Sequence, residues 1–473
     1  MQQRNQSLDA LRGFAILTMV LSGSIAFGDV LPAWMYHAQV PPPAHVFVPT
    51  LAGITWVDLV FPFFLFAMGA AIPLALQKNV KSKTSFPQIL FIAFRRFFLL
   101  AFFALFTHHL MPWALAKEPS TQHFLLSIVA FVLVFFQLYD NRNENYRQRF
   151  LILKFVSFAV ALGLLFILPF KDGNGFSFTN SDIIIIVLAN MAMFGTIIWW
   201  LTKNNYLLRI GILPIVMAIF LAAKEPTDGW AKMLYNFNNI AGYKINWLYQ
   251  FYFLKYLFIV IPGTIAGEYF LKFANTNTAN ARNENNGLIK IIPLLAFVLL
   301  VSNTVLLFER YLFLNVILSV VIVSLIYFLI KKSAKENNKL MMHFFTAGAY
   351  LLLLGLCFEA YEAGIKKDHS TYSYYFVTGG LAFFMLIGFN GLALNKFGRG
   401  INNFLSLNGR NPMVAYIAGN LLLQPILHLT SANLLFVIMN VNPVLGFLKG
   451  VLFTGIVSLI TILFTKKGWF WKT

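Results

Sequence analysis

Charged residues are scarce in this chain of 473 residues, where Asp, Glu, Lys and Arg together make up 11% of the sequence. Soluble globular proteins carry roughly 25% of such residues. Hydrophobic residues account for 59% of the chain, and phenylalanine alone occurs 52 times. The scarcity of charge excludes a water-soluble fold, and the long apolar runs are typical of a protein that crosses a membrane several times.

The chain has a single cysteine and lacks the common nucleotide-binding and metal-binding motifs. The single cysteine, Cys357, lies within an apolar run, which excludes a disulfide framework and a cysteine metal cluster. The sequence has no Walker-type phosphate loop, no G-x-G-x-x-G after a strand and no H-E-x-x-H. The histidines form no i, i+4 ligand pair, so we predict no metal site.

Apolar runs long enough to cross a bilayer recur along the whole chain. They predict an all-α fold, a polytopic integral membrane helical bundle with about 12–14 transmembrane helices. The predicted spans are 11–30, 56–77, 88–111, 123–139, 150–170, 182–201, 206–223, 248–271, 287–308, 311–330, 340–359, 374–394, 413–430 and 446–465. The spans 287–308 and 311–330 require a very tight turn near Glu309 and Arg310.

The net charge is +19. In a membrane protein, the distribution of these positive charges indicates which loops lie in the cytoplasm. In a soluble protein such a net charge would favour nucleic acid as a partner, but cytoplasmic loops of membrane proteins collect Lys and Arg. With the N-terminus in the cytoplasm, most basic residues fall in the connections on that side. We therefore predict that both termini are cytoplasmic and that nucleic acid is not a partner.

A polar stretch at 273–286 divides the predicted spans into two groups. We interpret it as a cytoplasmic linker between an N-terminal transmembrane bundle, residues 1–272, and a C-terminal transmembrane bundle, residues 287–473. The N-terminal bundle includes the first outer loop, residues 31–55.

The first outer loop carries two histidines, His37 and His45, and contains neither Lys nor Arg. Histidine suits proton transfer near neutral pH and can act as a nucleophile. Asp58 follows in the first turns of the next span, where a carboxylate is costly and needs a partner. We interpret these three residues as catalytic candidates, with Asp58 orienting an imidazole. The alternatives are histidines that hydrogen-bond at the headgroup level and an Asp58 that caps its helix near Thr55.

Four arginines and one asparagine at the predicted cytoplasmic face are candidates for binding an anionic ligand, because arginine recognises phosphate through two hydrogen bonds. They are Arg12, Arg95, Arg96, Arg410 and Asn411. Asn411 and Pro412 also form a helix-start signal, and a helix N-terminus favours anions. The alternatives are an Arg12–Asp9 pair that only anchors its helix, and an ordinary capped helix after Asn411.

Several motifs together resemble the heparan-α-glucosaminide N-acetyltransferase family and its bacterial relatives. These motifs are SLDALRGFAIL (7–17), a histidine-containing outer loop, GITWVDLVFPFFLFAMG (53–69), Arg95-Arg96, GTIAG (263–267), IKKDHSTYSYYFVTGGLA (365–382) and LNGRNPMVAY (407–416). They run nearly from end to end and in order. The T-x-x-D-L-V-F-P-x-F motif is fairly specific, whereas SLDALRG is shared with other membrane acyltransferases.

The resemblance implies a membrane acetyltransferase in the bacterial inner membrane. Such an enzyme takes the acetyl group of acetyl-CoA from the cytoplasm and passes it to a sugar amine or hydroxyl on the outer side. A histidine of the first outer loop carries or relays the acetyl group. The candidates for contact with the acceptor are Trp34, Tyr36, Trp56, Lys367 and Ser373.

The loop offers two candidates for the family's histidine. His37 matches by its local surroundings, WMYHAQ, while His45 matches by its distance from Asp58 along the chain. The family's Asn-Lys pair is replaced by Lys366 and Lys367. The choice of histidine is therefore open at the level of sequence.

A transporter or flippase for an anionic or lipid-linked solute is the alternative function, because costly charges inside a membrane also serve carriers. Inverted repeats and broken helices at the midplane, which are common in carriers, are not evident in the sequence. The expected partners are membrane lipids and a small-molecule or glycan acceptor. A homodimer is a further hypothesis.

Overall fold

The computed structural model describes residues 5–141, 144–171, 173, 175–273, 291–332, 337–393 and 396–472. The predicted linker at 273–286 lies outside the described residues, apart from Phe273.

The described residues are mostly helical. The α-helices are α1 (Gln6–Ser22), α2 (Trp56–Lys81), α3 (Phe86–His109), α4 (Pro112–Leu115), α5 (Thr121–Leu138), α6 (Arg147–Ile167), α7 (Ile183–Thr202), α8 (Tyr206–Ala223), α9 (Trp230–Tyr235), α10 (Leu257–Lys272), α11 (Ile291–Phe308), α12 (Leu312–Lys332), α13 (Asn337–Cys357), α14 (Tyr372–Leu392), α15 (Lys396–Gly409), α16 (Pro412–Ile417), α17 (Gln424–Leu429), α18 (Asn433–Ile438) and α19 (Pro443–Lys466). A π-helix at Ala418–Leu423 joins α16 to α17.

Short 3-10 helices and one small hairpin complete the described structure. The 3-10 helices are Ala33–Met35, Glu144–Tyr146, Phe251–Tyr256, Phe358–Ala363 and Met439–Val441. The antiparallel strands β1 (Asn239–Ile240) and β2 (Tyr243–Lys244) form the hairpin.

Thirteen helical segments among the described residues are long and apolar enough to cross a membrane. The all-α polytopic fold is therefore confirmed, and the chain is an integral membrane protein. The first helix differs from its predicted span, 11–30. It begins at Gln6 because the side chain of Asn5 caps it by accepting from Leu8 N at 3.0 Å, and it ends before Gly23.

The tight turn predicted between two successive spans is present. Helices α11 and α12 are separated by three residues, of which Arg310 has φ of +63°. Tyr311 N donates to Leu306 O at 2.9 Å and closes the turn. A left-handed residue at this point lets the chain reverse within a few residues.

The chain divides into two compact units. Unit 1 comprises residues 1–83, 256–410 and 441–450, and unit 2 comprises residues 84–255, 411–440 and 451–473. Each unit takes residues from both sides of the predicted linker, and helix α19 contributes to both units.

In unit 1, helices α2 and α10 approach each other closely along a G-x-x-x-G stretch. A side chain at Gly263 would meet Phe66 O at 2.4 Å, and one at Gly267 would meet Ala70 O at 2.2 Å. Small residues let two membrane helices bring their backbones together. This contact joins α10 to the middle of α2, about two to three turns after Asp58.

In unit 2, helix α3 packs against α7, and α5 packs against α6 and α17. The C-terminal residues fold back onto this unit. Lys472 N donates to Leu138 O at 2.9 Å, and the Lys472 ammonium lies 2.6 Å from the Asp140 carboxylate. The indole ring of Trp471 packs against Phe131 and Phe135.

Candidate functional site

Asp58 is a buried carboxylate at the start of α2, with 2% of its side chain exposed. Its Oδ2 accepts hydrogen bonds from the backbone amides of Thr55 at 2.9 Å and Ala38 at 3.2 Å. The first bond is the acidic half of a helix capping box. These donors hold the carboxylate in one orientation and stabilise its charge.

His37 lies directly on this carboxylate, with its Nδ1 2.6 Å from Asp58 Oδ1. The imidazole follows the 3-10 turn Ala33–Met35 and keeps 38% of its side chain exposed. Thr55 Oγ1 donates to Tyr36 O at 2.6 Å and so fixes the residue before His37 to the start of α2. An accessible imidazole on a buried carboxylate is the arrangement that orients a catalytic histidine.

Lys367 is the third side chain of this cluster. Its Nζ lies 3.3 Å from His37 Nε2 and 3.4 Å from His37 Nδ1. The ammonium is therefore about equally close to both ring nitrogens. It places a positive charge beside the imidazole.

The loop that carries Lys367, residues 364–371, is fastened to the first outer loop. The side-chain amide of Gln39 bonds the backbone of Asp368 twice: Asp368 N donates to Gln39 Oε1 at 2.8 Å, and Gln39 Nε2 donates to Asp368 O. Gly53 N donates to Ile365 O at 2.8 Å. These hydrogen bonds hold the two loops together, although the loops are distant in sequence.

An ion pair between the buried Glu359 and the exposed Arg310 supports the base of the same loop. Glu359 Oε1 lies 2.5 Å from Arg310 Nη1 and accepts from Ile365 N at 3.1 Å. Only 6% of the Glu359 side chain is exposed. Pairing with Arg310 allows this carboxylate to lie in the interior, where it fixes the backbone just before Lys367.

His45 lies in a different environment within the same loop. Its Nε2 is 2.9 Å from Gly28 O, and its ring lies against Tyr36 and Phe27 at centroid distances of 4.5 and 5.5 Å. The structure therefore brings His37, Asp58 and Lys367 together and gives His45 backbone and aromatic neighbours.

The aromatic candidates for acceptor binding differ in accessibility. Trp34 is 53% exposed, and Trp56 is half-buried at the first position of α2, where its indole Nε1 has no hydrogen-bond partner among the described residues. Tyr36 is 4% exposed, and its hydroxyl donates to Ala26 O at 2.6 Å. Burial raises the pKa of the Tyr36 phenol above its ordinary value of 10.0.

Ser373, the remaining acceptor candidate, is 1% exposed in the first turn of α14, and its Oγ donates to Gly355 O at 2.8 Å. This hydroxyl joins α14 to α13. The structure does not bring it to the histidine.

Two of the predicted anion-binding arginines, Arg12 and Arg410, share one buried carboxylate in unit 1. Arg12 Nη1 lies 3.2 Å from Asp9 Oδ1, and Arg410 Nε lies 3.6 Å from Asp9 Oδ2. The cluster forms where α1 and α15 touch, because a side chain at Gly409 would meet Asp9 O at 1.8 Å. Two cations around one anion leave a single net positive charge.

The other anion-binding candidates belong to unit 2. Arg95 is exposed in the third turn of α3, while Arg96 is half-buried. The side chain of Asn411 bonds the C-terminal segment, donating to Trp469 O at 2.7 Å and accepting from Trp471 N at 3.2 Å. Its amide is thus engaged in structure, although Asn411 does precede a helix that starts at Pro412, as predicted.

Two contributors to the site were not among the candidates named from the sequence. Gln39 connects the two loops, and Tyr374, buried in α14, donates from its hydroxyl to the backbone carbonyl of Asp58 at 2.8 Å. Both act through contacts between segments more than 300 residues apart. A periodic pattern within one segment cannot reveal such contacts.

Residues 4–270, more than half of the chain, match the family described as "Domain of unknown function (DUF5009)". This range includes the first outer loop, His37 and Asp58. No protein of curated function matches the chain. The chain therefore belongs to the DUF5009 family.

Proposed function

We propose that the protein is a membrane acetyltransferase that moves the acetyl group of acetyl-CoA to a sugar amine or hydroxyl through His37. The observation that carries the proposal is the 2.6 Å contact between His37 Nδ1 and the buried Asp58 carboxylate, with the Lys367 ammonium alongside. His37 rather than His45 is the reacting histidine, because only His37 has an acidic partner.

The contact with Asp58 selects the reacting nitrogen. A carboxylate at Nδ1 keeps the proton on that nitrogen and leaves the lone pair of Nε2 for reaction. Nε2 attacks the thioester carbonyl, the C–S bond breaks, and CoA leaves as a thiolate that takes up a proton. The acceptor then attacks the acetyl-imidazole, loses its own proton, and restores the neutral ring.

Lys367 has an electrostatic role in this chemistry. Each attack places negative charge on the carbonyl oxygen, and a preorganised cation near that oxygen stabilises it. The ammonium lies beside the imidazole, 3.3 Å from Nε2 and 3.4 Å from Nδ1, and so is close to the nitrogen that attacks the carbonyl.

The Asp9 cluster is the proposed contact for the phosphates of CoA. Arg12 and Arg410 together exceed the charge of Asp9 by one, and 32% of the Arg410 side chain is exposed. The cluster lies in the first turn of α1, and His37 lies in the loop that follows this helix. From Asp9 to its last residue, Ser22, the helix rises about 20 Å. The thioester arm must therefore extend along unit 1 from the cluster toward the loop.

The acceptor is proposed to lie on the outer side, next to His37. Trp34 supplies an exposed aromatic surface. Such a surface can pack against the apolar face of a sugar ring.

The test is incubation of the purified protein with acetyl-CoA labelled in the acetyl group. We expect label on the wild type and on His45→Ala, with no label on His37→Ala, and release of CoA when an amino sugar is added. If CoA release depends on His37 but no label is found on the protein, the acetyl group passes directly to the acceptor and His37 acts as the base. If the wild type neither binds nor cleaves acetyl-CoA while moving an anionic solute across proteoliposomes, the proposal is wrong and the protein is a carrier.

A further inference from the structure

Unit 2 contains a cavity of about 700 Å³ that belongs to no part of the proposed acetyltransferase site. It lies between the end of α3, helix α4, the connection that precedes α7, and the π-helix before α17. Pockets for small molecules have volumes of roughly 300–1,000 Å³. The cavity is therefore large enough for a ligand of one or two rings.

One wall of the cavity presents two side-chain amides, Asn420 and Gln424. Neither amide has a hydrogen-bond partner among the residues that the structure describes. Because Pro425 lacks an N–H, the carbonyl of Leu421, four residues earlier, loses its helical donor. Just before this proline the helix forms a π-turn at Ala418–Leu423. Such π-turns occur frequently at functional sites, and this one carries Asn420.

The facing wall is held in place by contacts within unit 2. Ser177 Oγ and Thr179 Oγ1 lie 2.8 Å apart, and Ser177 N donates to the ring of His109 at 3.4 Å. At the end of this wall, Asp182 accepts from the Tyr416 hydroxyl at 2.5 Å. That bond ties the connection before α7 to α16, so both walls keep a fixed separation.

Trp113 supplies an aromatic surface to the same cavity. Its indole is 43% exposed and is braced edge-on by His428 and Phe124, at centroid distances of 5.4 and 6.2 Å. The remaining polar lining side chains are the Asn180 amide, the His108 imidazole and the Lys171 ammonium. Amides and hydroxyls can each both donate and accept, as the hydroxyls of a sugar require.

We propose that this cavity binds a saccharide ring, with Trp113 against the apolar face of the ring and Asn420 and Gln424 bonded to its hydroxyls. Every group that forms this site belongs to unit 2, and none of them is His37, Asp58 or Lys367. The inference therefore does not depend on acetyl transfer.

The test is saturation-transfer NMR on the full-length protein in lipid nanodiscs, since detergents with sugar headgroups would compete. The probes are methyl β-glucopyranoside and its 2-acetamido analogue, with sorbitol as an open-chain polyol and inorganic phosphate as a simple anion. We expect saturable transfer to the ring protons of at least one glycoside, displaced by neither sorbitol nor phosphate.

Substitutions in the cavity test whether the saccharide binds there. Trp113→Ala and Gln424→Leu should each weaken binding about 10-fold, the effect of losing one good contact with a buried polar ligand. Asn420→Leu provides a second amide variant if one fails to fold, as judged by thermal unfolding. Trp230→Ala, which removes an indole 69% exposed elsewhere in unit 2, and His37→Ala should leave binding within 2-fold of the wild type.

The proposal is overturned if neither glycoside binds saturably, if sorbitol or phosphate competes, or if the folded Trp113 and amide variants bind as the wild type does. Saccharide binding retained by His37→Ala supports this site whatever the outcome of the acetyl-CoA experiment.

Discussion

His37 and His45 lie eight residues apart in one loop and have entirely different neighbours. The ring of His37 contacts a buried carboxylate and a lysine ammonium, while the ring of His45 contacts a backbone carbonyl and two aromatic rings. The same side chain is therefore placed once among charges and once among apolar groups. The neighbours, more than the residue type or its distance along the chain, decide which histidine can perform chemistry.

The difference between the two histidines originates in the groups that contact each ring. Asp58 is fixed by the start of α2 and by two backbone amides, so the partner of His37 cannot move away. His45 has φ of +48°, in the left-handed region, and its buried Nδ1 has no partner among the described residues. The ring of His45 packs against Tyr36 and Phe27 and contacts the backbone of Gly28, so its environment is structural.

Exchanging each histidine for alanine gives the largest expected effect and tests the comparison directly. His37→Ala should lower the acetyl-transfer rate about 10,000-fold, the upper range for loss of a positioned base or nucleophile. His45→Ala should change the rate less than 2-fold while lowering the thermal unfolding midpoint, because it leaves a gap beside Tyr36. Initial rates of CoA release and thermal unfolding of both variants measure this. A large loss of rate in folded His45→Ala would reverse the assignment.

Asp58→Asn sharpens the comparison by keeping the shape of the partner and removing its charge. We expect a loss of about 100-fold in rate, since the amide no longer fixes the imidazole in the reactive tautomer. The backbone bonds of Thr55 and Ala38 can persist on the amide oxygen. Tyr374→Phe is the matched control, because it removes a bond to the backbone carbonyl of Asp58 and leaves the carboxylate intact. Equal rates for Asp58→Asn and the wild type would contradict the orienting role.

Lys367→Met tests the cation beside His37 and should lower the rate about 10-fold, which corresponds to one charge-assisted contact of about 1.4 kcal/mol. Lys367→Arg should recover part of the loss, since the charge is retained. Lys366→Met, at the neighbouring position, is the control and should change the rate by less than 2-fold. If Lys366→Met has the larger effect, the cation that serves the site has been misidentified.

Much of the fold could be predicted from the sequence, because a span needs only length and apolarity, and both are properties of one segment. The turn at Glu309 and Arg310 and the helix start at Pro412 were also local signals. Asp58 was a candidate for the same reason, since a carboxylate inside an apolar run is costly wherever it occurs, although a capping role near Thr55 was the alternative.

The choice between the two histidines could not be predicted, because it depends on contacts between segments that are far apart in sequence. Distance along the chain favoured His45, but the 3-10 turn at Ala33–Met35 and the bond from Thr55 to Tyr36 bring His37 to the carboxylate instead. Gln39 and Asp368, 329 residues apart, complete the arrangement. Tyr36 and Ser373 likewise have polar atoms that suit a ligand, but they use them for internal bonds.

Tyr36→Phe gives the smallest expected effect and tests whether the surroundings of His45 are structural. The variant loses one bond to a backbone carbonyl, at a cost of about 1 kcal/mol. Because burial raises the pKa of Tyr36 above 10.0, the phenol stays protonated and keeps donating throughout the neutral range. The difference in thermal unfolding midpoint between wild type and variant should therefore be small and constant from pH 6 to pH 9, with the transfer rate unchanged. A difference that disappears as the pH rises through this range would mean that the phenol ionises there, and a loss of rate would place Tyr36 in the chemistry of His37 instead of the packing around His45.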